Sequence, residues 1–321
     1  MRVLITGITG FVGGHLAERL VAEGGHEVAG TSRRGEWPAD LRHLEARVRL
    51  VAADLNDESR WRDVLRDVRP EWVFHLAGYA KTGQSYREPD ACWRDNLDGT
   101  RTLYRAIEKS GLKPRILFAS TGLVYGDPDA GRTDFDESAA LKPASPYAAS
   151  KAAADLLSYQ VTRSPGLDVV RIRLFNQIGP RQSADYAIAN FARQIAAIEA
   201  GRQVPVLETG DLSAYRDLTD VRDMTAAIHT AIELGDSAEV YNAGRGEVWR
   251  IDDVLKRLVA LARVKPEIRS KVEAGRTAET AFSRADPAKL RGKTGWRPRL
   301  ELDDTLADIL EGWRNSKGMP T

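Results

Sequence analysis

The glycine-rich segment that follows the first apolar run constrains this chain more than any other feature. The run is short, and glycines follow it at positions 7, 10 and 13, directly before a helical pattern. A strand, a glycine turn and a helix in this order form the dinucleotide-binding fingerprint. We expect Gly7 to permit a tight turn, Gly10 to let the backbone approach a pyrophosphate, and Gly13 to let helix and strand pack closely. The phosphates would then rest at the amino end of the helix, near Phe11 and Val12.

Short apolar runs alternate with helical patterns through the first half of the chain. The predicted strands are Val3–Ile5, Glu27–Thr31, Val48–Ala52, Trp72–Leu76, Arg115–Ala119 and Val169–Leu174. The predicted helices between them are Val12–Glu23, Ser59–Val68, Ala91–Lys109 and Pro146–Arg163. Strands that alternate with helices in this way predict an α/β protein with a doubly wound (Rossmann) parallel sheet.

After Leu174 the alternation stops, which predicts a second and smaller unit. Gly179-Pro180-Arg181 is typical of a loop, and helical patterns follow at 184–200, 251–262 and 303–313. Between them, 216–234 and 240–242 are expected to return to the large sheet as a helix and a strand. We therefore predict a cofactor-binding domain at 1–174 plus 216–244. A discontinuous C-terminal α/β lobe at 175–215 plus 245–321 would bind the substrate.

Charge and composition narrow the range of partners. With 47 basic and 46 acidic residues the net charge is +1, so no broad field attracts nucleic acid or a membrane surface. The single cysteine, Cys92, excludes an internal disulfide, and no apolar run reaches the roughly 20 residues that a membrane span needs. The five histidines lack the spacing of metal ligands. We expect a cytoplasmic protein that binds no metal, no nucleic acid and no membrane.

The end of the second predicted strand indicates which dinucleotide binds. An acidic residue there would bind the ribose 2′-hydroxyl of NAD, whereas an arginine suits the 2′-phosphate of NADP. This chain has Ser32, Arg33 and Arg34 at that point and no acid within 30–34. NADP(H) is therefore favoured, and NAD(H) stays open. Further cofactor contacts are expected after the third and fourth strands, at Asp54, Leu55, Leu76, Ala77 and Gly78.

A second motif, Tyr147-Ala-Ala-Ser-Lys151, indicates the type of chemistry. Residues four apart share one face of a helix, so the Lys151 ammonium can lie beside the Tyr147 phenol. A nearby cation favours the phenolate form of a tyrosine, which makes the hydroxyl a usable acid or base near neutral pH. Both residues are therefore candidates for cofactor binding as well as catalysis. Together with a dinucleotide loop, the motif indicates hydride transfer to or from an alcohol or ketone.

Three motifs together resemble the extended short-chain dehydrogenase/reductase family, specifically its nucleotide-sugar branch: Thr6–Gly13, Thr121–Gly126 and Tyr147–Lys151. Further matching segments are Arg173–Pro180, Arg216–Val221, Tyr241-Asn242 and Thr294–Pro298. Within the branch, Phe175–Pro180 and Phe191–Ile198 most resemble the GDP-4-dehydro-6-deoxy-D-mannose reductases, which make GDP-D-rhamnose. The chain departs from that pattern at Gln177 and Arg181, where the family often has histidine and glycine.

The resemblance implies a role for each matching residue. Thr121 would hydrogen-bond the reacting oxygen, Tyr147 would protonate the sugar C4 oxygen, and Lys151 would hold the nicotinamide ribose. The implied substrate-binding residues are Thr121, Asn176, Arg216, Arg276 and Glu279. For Arg216, a surface salt bridge with Asp217 or Asp220 stays open as the alternative.

Several reactions share this scaffold, and one position separates two of them. A dehydratase needs a base for the C5 proton, which the resembling dehydratases supply as a glutamate two positions after the threonine. This chain has Leu123 there, which cannot accept a proton. We predict NADPH-dependent reduction of the C4 ketone of a GDP-linked 4-keto-6-deoxyhexose, with an NAD-dependent nucleotide-sugar 4-epimerase as the alternative. Intact Thr121, Tyr147 and Lys151 disfavour a non-catalytic sensor, and the resemblance implies a homodimer.

Overall fold

The computed structural model describes residues 1–128, 133–271 and 281–316. Its centre is a seven-stranded sheet in the order β10-β6-β5-β4-β1-β2-β3, and every neighbouring pair of strands is parallel. The chain order reverses on either side of β1, which is flanked by β4 and β2. In sheets of this kind ligands bind beyond the carboxyl ends of the strands at that reversal.

The strands have the following bounds: β1 (Arg2–Thr6), β2 (Glu27–Ser32), β3 (Arg49–Ala52), β4 (Trp72–His75), β5 (Arg115–Thr121), β6 (Asp168–Leu174), β7 (Asn176–Ile178), β8 (Val206–Thr209), β9 (Tyr215–Asp220), β10 (Val240–Ala243), β11 (Val248–Arg250), β12 (Glu267–Ser270) and β13 (Phe282–Ser283). The helices are α1 (Phe11–Glu23), α2 (Glu58–Val68), α3 (Pro89–Cys92), α4 (Gly99–Ser110), α5 (Pro146–Arg163), α6 (Ala187–Glu199), α7 (Val221–Leu234), α8 (Ile251–Ala260), α9 (Ala288–Thr294) and α10 (Leu302–Asn315). A π-helical stretch, Trp93–Asp98, joins α3 to α4.

Helices cover both faces of the large sheet. Val3 and Ile5 of β1 point into a core shared with α1 and α7, whereas Leu4 between them points into a core shared with α2, α4 and α5. This alternation follows from the two-residue repeat of a strand, and it explains why the strands are apolar at successive positions. The prediction of a doubly wound α/β sheet is confirmed.

A smaller α/β region lies beside the sheet and has a core of its own. Its apolar residues come mainly from α6, α8 and α10, and include Phe191, Ile195, Leu255, Leu306 and Leu310. Four short strands form one sheet there, in which β9 pairs with β7, β11 and β13. β8 and β12 form a separate two-stranded sheet.

The sequence prediction was wrong for 216–220. These residues form β9 in the smaller sheet, and the return to the large sheet begins only at α7. Asp217, Thr219 and Asp220 of β9 are polar although they are buried, so the segment lacks the apolar alternation that marks a strand. Within the described part of the chain, no helix is both long enough and apolar enough to cross a membrane.

Candidate active site

A cleft of about 440 Å³ lies at the carboxyl edge of the large sheet. Residues that directly follow β1, β2, β3, β4, β5 and β6 line it, so six of the seven strands contribute to one site. The smaller region closes the cleft from the other side through Gln182, Tyr186 and Ser283. All of the predicted cofactor-binding residues line this cleft: Gly7, Gly10, Phe11, Val12, Gly13, Ser32, Arg33, Asp54, Leu55, Leu76, Ala77, Gly78, Tyr147 and Lys151.

The glycine turn forms a cradle that side chains would block. Gly7 has a φ of 70°, a value that favours glycine, and its N–H bonds the carbonyl of Thr31 at 3.0 Å. A Cβ on Gly13 would lie 2.3 Å from the carbonyl oxygen of Gly7, so α1 could not approach the turn so closely. Gly10 precedes α1 and has no side chain to cover the amino end of the helix. This open helix end fits a pyrophosphate.

The rim of the cleft beside β2 and β3 is exposed and carries both signs of charge. Arg33 follows β2 directly and is exposed, and Ser32 accepts a hydrogen bond from Gly35 N at 3.0 Å. Asp54, also exposed, accepts a hydrogen bond from Asn56 N at 2.8 Å. Arg34 is not among the residues that line the cleft. Arg33 is therefore the arginine of this pair that is available to a phosphate in the cleft.

A buried histidine fixes the loop after β4. The hydroxyl of Thr6 accepts hydrogen bonds from the N–H groups of Leu76–Ala77, at 3.1 and 3.0 Å, and lies 2.9 Å from His75 Nδ1. On the other side, His75 Nε2 lies 2.9 Å from Thr100 Oγ1, which donates to the carbonyl of Asn96. These directions require a neutral ring with its proton on Nε2. Burial and the charge of Lys151 lower the pKa of His75 to about 3, so it stays neutral.

Helix α5 carries the tyrosine and lysine into the cleft. Ser145 caps the helix by accepting a hydrogen bond from Ala148 N at 3.1 Å, and Pro146 occupies its first turn. Tyr147 is half-buried, and Lys151 is only 9% exposed and donates to the carbonyl of Ala119. Burial lowers the pKa of Lys151 from 10.5 to about 8, although the nearby Asp155 carboxylate opposes the shift. A lysine with this pKa can gain or lose a proton within the pH range in which enzymes ordinarily work.

The end of β5 brings the threonine to the same cleft. Thr121 is buried, and its hydroxyl accepts a hydrogen bond from Leu123 N at 3.3 Å. Leu123 also lines the cleft, so the position that would need a carboxylate for dehydration presents an aliphatic side chain instead. Thr121, Tyr147 and Lys151 therefore share one site with the glycine cradle.

The structure also brings Asn96, which none of the sequence motifs includes, to the cleft wall. It lies in the π-helical stretch and is 2% exposed. Its side chain accepts from Tyr79 N and donates to Ser150 Oγ, each at 2.9 Å. A Cβ on Gly78 would lie 2.4 Å from the Asn96 oxygen, so this glycine is required by the contact. No local spacing marks Asn96, because its partner Ser150 is 54 residues away.

A buried polar network anchors α5 to the sheet. The Asp155 carboxylate accepts from Arg171 at 2.8 Å and from Arg173 at 2.9 Å, both on β6. Arg173 also donates to the Tyr125 hydroxyl at 2.8 Å, and Tyr125 donates to Asn242 at 2.8 Å. Because Asp155 follows Lys151 by one helical turn, the network fixes the helix that carries the lysine.

Only some of the predicted substrate-binding residues line the cleft in the described part of the chain. Asn176, at the start of β7, lines the cleft. Arg216 lies on β9 beside Ser283 and donates to the carbonyl of Tyr215 at 2.8 Å, but it is not among the cleft-lining residues. Arg276 and Glu279 lie outside the described residues.

Asp217 and Asp220, the alternative salt-bridge partners of Arg216, are held mainly by other groups. Asp217 accepts from the backbone N–H groups of Arg245 and Gly246 at 2.9 and 2.8 Å, and burial raises its pKa to about 6. Asp220 caps α7 and pairs with Arg222 at 2.7 Å. These carboxylates stabilise the fold of the smaller region.

Arg181 stands where the family often has glycine, and its backbone has a conformation that is typical of glycine. Its φ is 70°, a left-handed value that is uncommon outside glycine. The side chain makes two contacts of 2.6 Å with the Glu18 carboxylate on α1. The substitution thus adds an ion pair between the glycine-loop helix and the segment that leads to α6.

Comparison with known proteins agrees with this geometry. The family model described as GDP-mannose 4,6 dehydratase matches residues 4–309. The GDP-6-deoxy-D-mannose reductase of Pseudomonas aeruginosa is 33% identical over 315 residues, which cover 98% of this chain and 97% of the relative.

Two solved structures share the fold over nearly their whole length. The structure of RMD from Pseudomonas aeruginosa complexed with NADPH has a TM-score of 0.84 at 31% identity and covers 98% of this chain and 99% of its own. The UDP-glucose 4-epimerase of Thermus thermophilus in complex with NAD has a TM-score of 0.86 at 30% identity, with 99% and 100% covered. Because the family model and the relatives span almost all of the chain, this protein belongs to the GDP-mannose 4,6-dehydratase family of extended short-chain dehydrogenases/reductases.

Proposed function

We propose that this protein reduces the C4 ketone of a GDP-linked 4-keto-6-deoxyhexose with NADPH, converting GDP-4-dehydro-6-deoxy-D-mannose to GDP-D-rhamnose. One observation carries the proposal: Thr121, Tyr147 and Lys151 line the same cleft as the glycine cradle, whereas Leu123 lines it where dehydration would need a carboxylate. The first three residues suit proton transfer to a carbonyl oxygen, and the fourth makes the formation of the keto sugar from a hexose unfavourable.

Each of the three residues has a distinct part in the proposed step. When bound, the nicotinamide supplies the hydride that reaches the sugar C4. Thr121 donates a hydrogen bond to the C4 oxygen, and Tyr147 delivers the proton that this oxygen takes up. Lys151 binds the nicotinamide ribose, and its charge favours loss of the proton from Tyr147. The carbonyl of Ala119 and the network around Asp155 hold the lysine and its helix in place.

NADP(H) is the cofactor that this cleft supports best, and NAD(H) stays open. The cradle of Gly7, Gly10 and Gly13 fits the pyrophosphate that both share. Arg33 at the rim suits the 2′-phosphate that only NADP(H) has. The solved relatives include one structure with NADPH and one with NAD, in agreement with this ranking.

The two parts of the chain would bind different ligands. We assign the cofactor to 1–174 plus 221–244, and the nucleotide sugar to 175–220 plus 245–321, since 216–220 belongs to the smaller sheet. Asn176 in the cleft supports a contact with the sugar. Arg216 and Arg276 would contact the diphosphate, and Glu279 would lie near the nucleotide.

A homodimer would form through the face that carries α4 and α5. Two large apolar side chains of α5 are exposed there, Leu156 at 58% and Tyr159 at 44%. Trp93, in the π-helical stretch that packs against α5, is 39% exposed. Light scattering of the wild type and of Leu156→Glu tests this assignment, because a charge at a buried contact would favour monomers.

A panel of nucleotide-linked 4-keto-6-deoxy sugars, each incubated with NADPH and followed by NMR of the product, tests the proposal. We expect turnover with the GDP-linked manno substrate and a product that differs only at C4. Turnover restricted to UDP- or dTDP-linked sugars would contradict the guanine assignment and leave the chemistry intact. Interconversion of two nucleotide sugars without added cofactor would instead support the 4-epimerase, the reaction of the solved relative with a TM-score of 0.86.

A further inference from the structure

Two histidines and a glutamate meet at the edge of the sheet that faces away from the cleft. Glu23 is the last residue of α1, His26 directly precedes β2, and His229 lies on α7. Helices α1 and α7 pack together on one face of the sheet. The cluster lies at the amino ends of β2 and β4, whereas the cleft lies beyond their carboxyl ends.

The distances within this cluster are close to those of a metal site. His229 Nδ1 lies 3.0 Å from Glu23 Oε2, and one ligand atom from each of the three residues lies within 4.8 Å of the others. Tetrahedral zinc has bonds of about 2.0–2.2 Å to nitrogen and oxygen, which separates its ligand atoms by roughly 3.3–3.6 Å.

A buried nitrogen in the cluster has no protein partner. His26 Nδ1 is shielded from solvent and makes no hydrogen bond to any of the described residues. The ring lies against Trp72, at 5.8 Å between centroids, and edge-on to His229 at the same distance. A buried polar atom without a partner is unfavourable, and a bound ion would satisfy it.

The surroundings hold the Glu23 carboxylate in place and add negative charge. Arg19 holds the other oxygen of the Glu23 carboxylate at 2.8 Å, as the outer partners of ligating carboxylates commonly do. Glu233 lies one helical turn after His229 and adds negative charge near the cluster.

We propose that Glu23, His26 and His229 bind one divalent transition-metal ion, zinc by preference, with water completing the coordination. Two imidazoles and one carboxylate form a ligand set that suits zinc better than magnesium or calcium. The ion would fasten α1 to α7 and to the start of β2, and so stabilise the sheet far from the proposed chemistry. The ligands are separated by 2 and by 202 residues in the chain, which is why the spacing of the histidines did not predict the site.

Calorimetric titration of the EDTA-treated protein with zinc chloride tests the proposal. We expect saturable binding of one ion per chain and a rise in melting temperature on addition of zinc. His229→Ala should weaken binding by at least about 100-fold, since even the loss of an outer partner of a ligand costs 10–100-fold. Glu23→Gln should also weaken binding, and because its side chain is 35% exposed it should leave the fold intact.

A matched control uses a histidine outside the cluster. His43 is 54% exposed and pairs with Glu18, so His43→Ala should bind zinc as the wild type does. The proposal is overturned if the wild type shows no saturable binding, if His229→Ala and Glu23→Gln both bind like the wild type, or if His43→Ala loses as much affinity. None of these measurements depends on the reductase activity.

Discussion

The two ends of the cleft differ in their exposure to water. At one end Lys151 and Thr121 are buried, and the lysine is fixed by the carbonyl of Ala119. At the other end Arg33 and Asp54 stand at an exposed rim. Charge interactions are strong where water is excluded and weak where it is present.

Under the proposed function, the buried end would carry out the reaction and the exposed end would select the cofactor. The buried end can shift the pKa of Lys151 to about 8 because burial destabilises the ammonium. At the exposed end, the proposed contact of Arg33 with a 2′-phosphate would distinguish the two cofactors by a single charge-assisted hydrogen bond. Substitutions at the buried end should therefore change rates greatly, and those at the rim should change affinities modestly.

Tyr147→Phe should produce the largest effect. The ring would fill the same space while the proposed proton donor is lost, so kcat should fall by about 10²–10⁴-fold. NADPH binding, measured by fluorescence titration, should stay near the wild-type value. Tyr159→Phe, on the exposed side of the same helix, is the control and should keep full activity. Turnover of Tyr147→Phe within a few-fold of wild type would remove the tyrosine from the mechanism.

Gly13→Ala tests whether cofactor binding requires the close approach of α1 to the glycine turn. The new Cβ would meet the Gly7 carbonyl at 2.3 Å, so α1 must move away from the turn. Overpacking of this kind costs roughly 1–3 kcal/mol, which predicts cofactor binding about 10–100-fold weaker. Gly292→Ala, on α9 with open space around its Cβ, should bind NADPH normally. Equal affinity in both variants would show that the turn does not contact the cofactor.

Arg33→Ala should change the cofactor preference by about tenfold or more, since charge-assisted hydrogen bonds contribute roughly 1.5–3 kcal/mol. NADPH affinity should fall and NADH affinity should stay constant. The difference should shrink at high salt, because exposed charges are screened. Arg34→Ala, one residue outside the cleft lining, serves as the control. Equal losses for both cofactors would contradict the role of Arg33.

Lys151→Met should give the smallest effect, measured as the pH dependence of stability. Folding lowers the pKa of Lys151 from 10.5 to about 8, so between those values the unfolded chain binds more protons. Lys151 should therefore make the free energy of unfolding of the wild type rise with pH, by less than about 1 kcal/mol up to pH 8.5. Urea unfolding of both proteins at pH 6 and 8.5 should show a larger rise in the wild type than in Lys151→Met, since histidines with a lowered pKa, such as His75, raise the free energy of unfolding of both equally. A parallel response in Lys151→Met would mean that the lysine is not buried as a cation.

Local patterns predicted the large parallel sheet and its helices well. The glycine turn, the strands and α5 follow from apolar runs, turn residues and capping residues that lie close together in the chain. The residues that come together at the carboxyl edge could be assigned because parallel strands all end there. Thr121, Tyr147 and Arg33 line the cleft for this reason.

Contacts between distant residues could not be predicted. Asn96 reaches the cleft through Ser150, and β9 is held by partners at 245, 246 and 285, none of which is near it in sequence. The cluster of Glu23, His26 and His229 depends on the packing of α1 against α7. Such contacts follow from tertiary packing, which a local pattern does not record.

The most direct test of the proposed reaction follows one hydride. The protein is incubated with GDP-4-dehydro-6-deoxymannose and NADPH that carries deuterium at both hydrogen positions of nicotinamide C4, and the product is analysed by NMR. The reductase predicts one NADPH oxidised per product formed and deuterium at the sugar C4. Conversion of the nucleotide sugar without consumption of NADPH, or a product that lacks deuterium at C4, would contradict it.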